Sequence, residues 1–310
     1  MLVGAALGVG AFVPIQTAVN DRLRASIGAP IPTAFVSVFS AFLFAVIIAL
    51  VVSGGSFDLA RAAGEPWWVW IGGIMGVIFI TGNVIIFPKL GVVETIVIPI
   101  LGQVIMALAI DHFALFAAVE NKISFWRLVG AAVVIAGIVM VHVVRAPGEL
   151  LSPAAEGDAG EASVWIWRAV GVMMGMCSAI QTAVNGYLGT VLDSSVQAGS
   201  VNLAVGSVLL LTLSLSLPQS RRAVLSGVKP GPWWMWIGGT FGTILVVGAA
   251  MLAPVLGTGT TVIGMLAGTI VCGQIIEAGG LLGAPRQRLQ LARVIGLILV
   301  FVGVAMVRVL

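Results

Sequence analysis

The sequence predicts an all-α integral membrane protein with ten transmembrane helices, arranged as two five-helix repeats of inverted topology. The first reason is composition: of the 310 residues, 60% are hydrophobic and 9% are charged, and the mean hydropathy is +1.16. A soluble domain of this size cannot bury so much apolar surface, so a bilayer must cover it. The other two reasons are a series of apolar windows of membrane-spanning length and an internal repeat of the five-helix pattern.

Ten windows are long and apolar enough to cross the hydrocarbon layer, which takes about 20 residues. They cover residues 2–20, 31–53, 67–87, 91–112, 125–144, 165–185, 196–217, 233–253, 257–280 and 291–309. These runs are too long and too uniformly apolar for a β-barrel, whose strands alternate over about ten residues. The first window begins without a basic leader, so we predict a retained span rather than a signal peptide.

The second half of the chain repeats the first. The hexapeptide IQTAVN occurs at residues 15–20 and again at 180–185. From Pro66 an offset of 166 residues holds without a gap to the end of the chain, so that EPWWVWIGGIMG matches GPWWMWIGGTFG. The predicted division is a first repeat, a polar linker and a second repeat, at residues 1–145, 146–163 and 164–310. Because five is an odd number, the second repeat enters the membrane in the opposite sense, as in many secondary transporters.

Basic residues predict the orientation, because Lys and Arg favour the cytoplasmic side of a membrane. Of the 15 basic residues, eleven fall on the face shared by the connections after helices 1, 3, 5, 7 and 9. They are Arg22, Arg24, Lys89, Arg145, Arg168, Arg221, Arg222, Lys229, Arg286, Arg288 and Arg293; the four on the other face are Arg61, Lys122, Arg127 and Arg308. Both termini are therefore predicted to lie outside, and the net charge of +3 reflects topology rather than a nucleic-acid partner.

Polar side chains inside the predicted spans are the candidate functional residues, because the hydrocarbon layer penalises them. They comprise two amide pairs, each spaced four apart on one helix face, and polar residues of helices 4 and 9. The set is Gln16, Asn20, Gln181, Asn185, Gln103, Asp111, Gln274 and Glu277. In one interpretation they form an inner and an outer gate that flank a substrate chamber near Gln103 and Gln274. In the other, the amides tie helices together by hydrogen bonds of about 0.6–2 kcal/mol and the acids are interfacial.

The remaining motifs predict packing and membrane placement. Two Trp-rich segments, 67–70 and 233–236, open helices 3 and 8 at opposite interfaces, which is typical of an aromatic belt; a substrate cage is the alternative. Glycines at a spacing of four favour close helix packing. Examples are Gly72/Gly76 and Gly238/Gly242. Pro14 is expected to break helix 1, whereas its counterpart is Ala179. Glu94 is predicted to be a salt-linked interface residue.

Catalytic and metal-binding constellations are missing from the sequence. Cys177 and Cys272 fall inside predicted spans and are interpreted as small apolar core residues. His112 and His142 stand at helix ends without a companion at ligand spacing, so no metal site is expected. The chain carries no HExxH, no GxSxG in a strand–helix context and no P-loop. We therefore expect neither an enzyme nor a bound cofactor.

Taken together, these residues resemble the YdcZ-like branch of the drug/metabolite transporter superfamily. The resemblance rests on the doubled five-helix plan, the two IQTAVN elements, the Trp-rich starts of the third helices, and LGQVIMALAIDHF at 101–113. The second half departs from the last element, since Thr269 stands in place of Gln103 and Ala278 in place of His112, while Glu277 keeps the acid. This departure indicates that one half has specialised.

The resemblance implies a carrier of small molecules in the bacterial inner membrane, driven by an ion or substrate gradient. Small multidrug relatives use a membrane-buried glutamate in their first helix; here Gln16 and Asn20 stand there instead, which favours neutral or polar solutes over proton-coupled cation export. We expect a secondary-active transporter of a small metabolite or drug-like solute that works by alternating access. The alternative is a non-transporting assembly or sensory partner subunit. The expected partners are the lipid bilayer and a small-molecule substrate, with a homodimer left open.

Overall fold

The computed structural model describes residues 2–143, 161–283 and 291–309, and these residues fold into helices without a β-strand. The helices are α1 (Leu2–Gly10), α2 (Phe12–Ile27), α3 (Pro30–Val52), α4 (Gly72–Phe113), α5 (Phe125–Val143), α6 (Glu161–Val191), α7 (Ser195–Ser216), α8 (Pro218–Leu225), α9 (Gly238–Leu256), α10 (Thr258–Gly279) and α11 (Leu291–Val309). Helix α4 contains two spans, Gly72–Gly91 and Glu94–Phe113. They meet at Gly91, whose φ of 73° is one that glycine adopts without strain.

Eight helical segments are long and apolar enough to cross a membrane. They are Leu2–Ile27, which joins α1 and α2, then Pro30–Val52, the two spans of α4, Val164–Val191, Ser195–Ser216, Trp233–Leu256 and Thr258–Gly279. The two remaining predicted windows coincide with α5 and α11, of which the apolar stretches Phe125–Val141 and Leu291–Val307 fall within the fully described residues. An all-helical membrane protein is therefore confirmed, with eight candidate spans in the described part of the chain.

Several helices are longer than the apolar windows that predict them. The first window ends at residue 20, but α2 continues to Ile27 and stops at Gly28, whose φ is 84°. The sixth window ends at residue 185, whereas α6 continues to Val191. The added turns contain charged and small residues that lower hydropathy without preventing helix formation. The predicted windows placed the two amide pairs at the ends of their helices. In the structure both pairs lie inside their helices. The predicted linker lies outside the described residues up to residue 160, and its last three residues already belong to α6.

The first span is interrupted near its middle, as Pro14 predicts. Helix α1 ends at Gly10 and α2 begins at Phe12. Pro14 has no N–H, so the carbonyl of Gly10, four residues earlier, has no intrahelical donor. The hydroxyl of Thr269 on α10 lies 3.0 Å from that carbonyl oxygen and 2.9 Å from the carbonyl oxygen of Met265 on its own helix, so its single proton is shared between the two acceptors. The equivalent position in the second half is Ala179, and α6 is continuous there.

A double-mutant cycle tests this pairing of Pro14 with Thr269. The change Thr269→Val removes the donor to the Gly10 carbonyl and is expected to lower the free energy of unfolding by about 1 kcal/mol. In a Pro14→Ala background the new N–H serves the same carbonyl, so the same change is expected to cost much less. Thermal unfolding of the four proteins in detergent measures the difference. Equal losses in both backgrounds would contradict the role assigned to Thr269.

Equivalent helices of the two halves pack against each other and run in opposite directions. On α5 and α11, Gly130 lies beside the backbone oxygen of Gly303, and Gly137 lies beside that of Gly296. The residue numbers rise along one helix as they fall along the other, so the pair is antiparallel. Small residues permit this close approach, which supplies packing where lipid provides no hydrophobic driving force.

The second helices of the halves, α3 and α7, pack in the same antiparallel manner. Val38 lies beside Gly206, and just after the end of α3 the hydroxyl of Ser53 accepts a hydrogen bond from the side chain of Gln197 at 3.0 Å. The largest buried core cluster likewise draws on both halves; its members include Val104, Val134, Ile138, Ile263, Ala267, Val300 and Val304. The two halves therefore share one interior rather than forming separate bundles.

Candidate functional site

The two glutamines of the IQTAVN elements face glycines of the opposite half. A Cβ at Gly76 would lie 2.6 Å from Nε2 of Gln181. A Cβ at Gly242 would lie 2.9 Å from Nε2 of Gln16. The two contacts are repeat equivalents, because Gln16 corresponds to Gln181 and Gly76 to Gly242. Each glycine leaves a notch in its helix that the amide fills.

The two asparagines repeat this arrangement one helical turn farther along. Oδ1 of Asn20 occupies the space that a side chain at Gly238 would need, and Oδ1 of Asn185 does the same at Gly72. Asn185 is 3% exposed, whereas Asn20 is half-buried. The Gly-xxx-Gly motifs thus permit close helix packing, and they also leave space that the amide side chains occupy.

Hydrogen bonds tie the same amides to the second helix of their own half. Nδ2 of Asn20 donates to Oγ of Ser37 on α3 at 3.0 Å. Nε2 of Gln181 donates to Oδ1 of Asn202 on α7 at 3.1 Å. Ser37 and Asn202 are themselves repeat equivalents. Each amide pair therefore lies at a three-helix junction, between the first two helices of one half and the third helix of the other.

Asp111 joins the two halves at the end of α4. Its side chain is 0% exposed, and its two oxygens accept the backbone N–H groups of Thr258 at 2.7 Å and Gly259 at 3.0 Å. These two N–H groups belong to the first residues of α10, in the other half of the chain. A carboxylate at the N-terminus of a helix is favoured by the helix dipole. Nη2 of Arg127 is the third partner of this carboxylate and lies 3.1 Å from Oδ2 of Asp111. Asp111 therefore acts as a helix cap supplied from the opposite half.

Glu277 and Arg293 form the equivalent ion pair in the second half. Nη1 of Arg293 lies 2.9 Å from Oε2 of Glu277 and 3.4 Å from Oε1 of Gln274. The side chain of Glu277 is 31% exposed, in contrast to the sealed carboxylate of Asp111. The two acid–arginine pairs thus match in sequence but differ in burial.

Sequence reasoning missed both arginines as partners of the acids. A signal was present, because Arg127 follows Asp111 by 16 residues and Arg293 follows Glu277 by the same interval. Glu94 is salt-linked as predicted, but its partner is Arg168 of α6, with Nε to Oε2 at 2.9 Å and Nη2 to Oε1 at 2.7 Å. Two guanidinium nitrogens match two carboxylate oxygens, a geometry that lysine cannot provide.

Gln103 and Gln274, which one of the two interpretations of the sequence places near a substrate chamber, occupy different surroundings. The backbone nitrogen of Gln103 lies close to Gly175 of α6, and its side chain is half-buried. Gln274 is 7% exposed and faces Arg293. No described hydrogen bond links the two glutamines. Two apolar cavities of about 130 and 270 Å³ are lined by other residues.

His112 and several of the tryptophans have described surroundings. Nδ1 of His112 accepts the backbone N–H of Ile123 at 3.1 Å, and the side chain of His142 lies outside the description. Within the described ranges, no three His, Cys, Asp or Glu residues come together as a metal site. Trp67 and Trp233 are each 75% exposed, as expected for rings that lie in lipid, whereas Trp68 packs against Phe116.

This combination of apolar spans and matched contacts between halves defines a multi-pass helical membrane protein. The chain belongs to the family described as "Putative inner membrane exporter, YdcZ", whose model matches residues 1–140 and 166–306. The family resemblance expected from the sequence is thereby confirmed, and it makes the protein a member of an inner-membrane transporter family. The family's description concerns export and points away from an enzyme.

The fold also occurs among solved structures, of which 18 chains match. One, described as "Crystal structure of protein", has a TM-score of 0.68 and 14% sequence identity, and the match covers 98% of this chain and 97% of that one. At this identity the likeness shows the fold alone. No curated protein sequence matches the chain.

Proposed function

We propose that the protein is a secondary-active transporter of a small metabolite or drug-like solute that works by alternating access. In this proposal ten spans form two inverted five-helix repeats, which rock about a site lined by the first and fourth helices of each half. The observation that carries the proposal is the duplicated junction: Gln16 against Gly242 near one end, and Gln181 against Gly76 near the other.

The antiparallel pairing of equivalent helices supports the inverted arrangement. Helix α5 runs against α11, and α3 runs against α7. Two halves related by an axis in the membrane plane place equivalent contacts at opposite depths, so the protein can close one junction while it opens the other. Because the two junctions are built from the same residue types, their free energies are expected to be similar, which alternating access requires.

Contacts near the basic face support the placement of these connections on one side of the membrane. The backbone N–H of Lys229 donates to the carbonyl of Ser26 at 3.0 Å, which brings two of the connections predicted to be cytoplasmic together. The Arg168–Glu94 ion pair lies on the same predicted face. We propose that this face is cytoplasmic and that both termini lie outside. A reporter fused after Leu310 tests this, because a cytoplasmic signal there would reverse the assignment.

The amide junctions favour a neutral or polar solute. Amides donate and accept hydrogen bonds without the cost of a buried charge, and the two acids among the candidate residues, Asp111 and Glu277, already pair with arginine. Gln16, Asn20, Gln181 and Asn185 would become available to solute as each junction opens. A proton-coupled exporter of cations would need an unpaired membrane carboxylate in place of these amides.

Counterflow in liposomes tests the proposed function. Purified protein is reconstituted into vesicles loaded with each of a panel of unlabelled solutes, and uptake of the labelled solute is followed. We expect at least one neutral or polar solute to exchange faster than in protein-free vesicles. A partner subunit that does not transport would exchange none of them, and that result across metabolites and drug-like solutes would overturn the proposal.

A further inference from the structure

The short helix α8 combines basic and apolar side chains beside the membrane boundary. It follows α7 directly and begins at Pro218, a residue favoured in the first turn of a helix. Arg221 and Arg222 are exposed, and Leu225, one turn after Arg221, is 79% exposed. Apolar and basic side chains exposed on the same short helix are typical of a segment that lies in the headgroup region of a bilayer.

An apolar cleft of about 130 Å³ lies directly beside α8. Its walls come from α2, α3, α7, α8 and the segment after α8, and they include Ile27, Phe35, Leu211, Leu215, Val224 and Val228. Leu215 is 49% exposed and Val228 is 46% exposed, so the cleft is continuous with the exposed apolar surface of the protein. In a membrane protein, lipid is the medium that meets such a surface.

Three cations are immediate neighbours in the chain of residues that line this cleft. Arg221 and Arg222 immediately precede the cleft residues 223 and 224, and Lys229 immediately follows Val228. Within the described residues, none of the three makes an ion pair with a carboxylate. The backbone hydrogen bond from Lys229 to Ser26 fixes the segment after α8 against the end of α2.

We propose that α8 and this cleft form a binding site for an anionic phospholipid. The phosphate lies among Arg221, Arg222 and Lys229, and the upper part of an acyl chain occupies the apolar cleft. Because the cleft is walled by helices of both halves, the bound lipid bridges the halves on the proposed cytoplasmic face. The proposal concerns a lipid and does not depend on which solute the protein carries.

The corresponding segment of the first half lacks these features. Between α3 and the first span of α4, the single basic residue Arg61 pairs with Asp58 at 2.9 Å, and Glu65 accepts a hydrogen bond from Tyr187 at 2.8 Å. A charged pair and a further acid do not attract an anionic headgroup. The described connection between α3 and α4 therefore does not offer the same basic site, although the helices are repeated.

The test measures binding of phosphatidylglycerol and of phosphatidylcholine to the full chain in detergent micelles, by native mass spectrometry and by thermal unfolding. We expect phosphatidylglycerol to bind and to raise the unfolding temperature more than phosphatidylcholine does. The double variant Arg221→Gln/Arg222→Gln is expected to weaken phosphatidylglycerol binding about 30-fold. If that variant does not fold in phosphatidylcholine, Arg221→Gln alone is expected to give about a fivefold loss.

Two controls separate this site from general attraction of anionic lipid. The variant Arg61→Gln/Lys122→Gln removes the same charge at the other end and is expected to leave binding unchanged. Ala223→Phe fills the cleft without altering charge and is expected to reduce lipid binding. Equal losses in the two charge variants would overturn the proposal. Protection by soluble glycerol 3-phosphate equal to that by the lipid would also overturn it, because the acyl chain would then contribute nothing.

Discussion

Replacing Asp111 with alanine is expected to lower the free energy of unfolding by about 3–5 kcal/mol. The change leaves the guanidinium of Arg127 buried without its carboxylate, and it removes the acceptor for the N–H groups of Thr258 and Gly259. An uncompensated buried charge is among the most destabilising changes in a protein. Thermal unfolding in detergent, with the midpoint compared with that of the unaltered protein, measures the effect.

The repeat supplies a matched control for this prediction. Glu277→Ala removes the equivalent acid from Arg293, but the side chain of Glu277 is 31% exposed and that of Asp111 is 0% exposed. Arg293 is itself 3% exposed, but Gln274 remains as an acceptor for it, and Glu277→Ala removes no acceptor from the start of a helix, so a smaller loss is expected. Equal losses for the two variants would show that capping of α10 by Asp111 does not carry the stability assigned to it.

Replacing Gln16 and Gln181 together with alanine is expected to abolish solute flux while the protein stays folded. Each glutamine fills a glycine notch of the opposite half, at Gly242 and Gly76, and Gln181 also donates to Asn202. Loss of both amides removes the contacts that close the two junctions. Each substitution is expected to lower the free energy of unfolding by about 0.6–2 kcal/mol. The measurement is counterflow in liposomes, with folding checked by thermal unfolding.

Gln197→Ala is the control for the amide variant. Gln197 also makes an interhelical hydrogen bond, to Ser53 at 3.0 Å, but it does not lie on a glycine of either duplicated junction. Its replacement is expected to cost a similar amount of stability and to preserve flux. If Gln16→Ala/Gln181→Ala carries solute at the rate of the unaltered protein, the glutamines only hold helices together and are not gates.

Much of the fold follows from local composition. Apolar runs of about 20 residues predict spans, since few other structures satisfy a backbone in lipid. The ten windows correspond to helical segments, and Pro14 marks the interruption between α1 and α2 because it lacks an N–H. Helix α8 was not predicted, since eight residues that include two arginines give no apolar run.

The site was less predictable, because its residue types are visible in the sequence but their partners are not. The IQTAVN repeat identified Gln16 and Gln181, but it did not indicate that each faces a glycine of the other half. Asp111 was interpreted as interfacial or as a gate, and the sequence did not indicate that its carboxylate caps α10 across the halves. Glu94 was predicted to be salt-linked, but the sequence did not indicate its partner, Arg168, which lies 74 residues along the chain. Such pairings depend on how helices assemble, which periodicity does not determine.

Alternating closure of the two amide junctions is tested most directly by wedging one junction and probing the other. A leucine at Gly242 would occupy the space of the Gln16 amide and hold that junction apart. With Cys177 and Cys272 replaced by serine, a cysteine in place of Asn185 reports maleimide access to the opposite junction.

Coupled junctions predict that Gly242→Leu slows labelling at position 185. The mirror-image experiment, Gly76→Leu with a cysteine in place of Asn20, is predicted to slow labelling at position 20 in the same way. If each wedge leaves labelling of the opposite junction unchanged, the two junctions open independently and alternating access between the halves is contradicted.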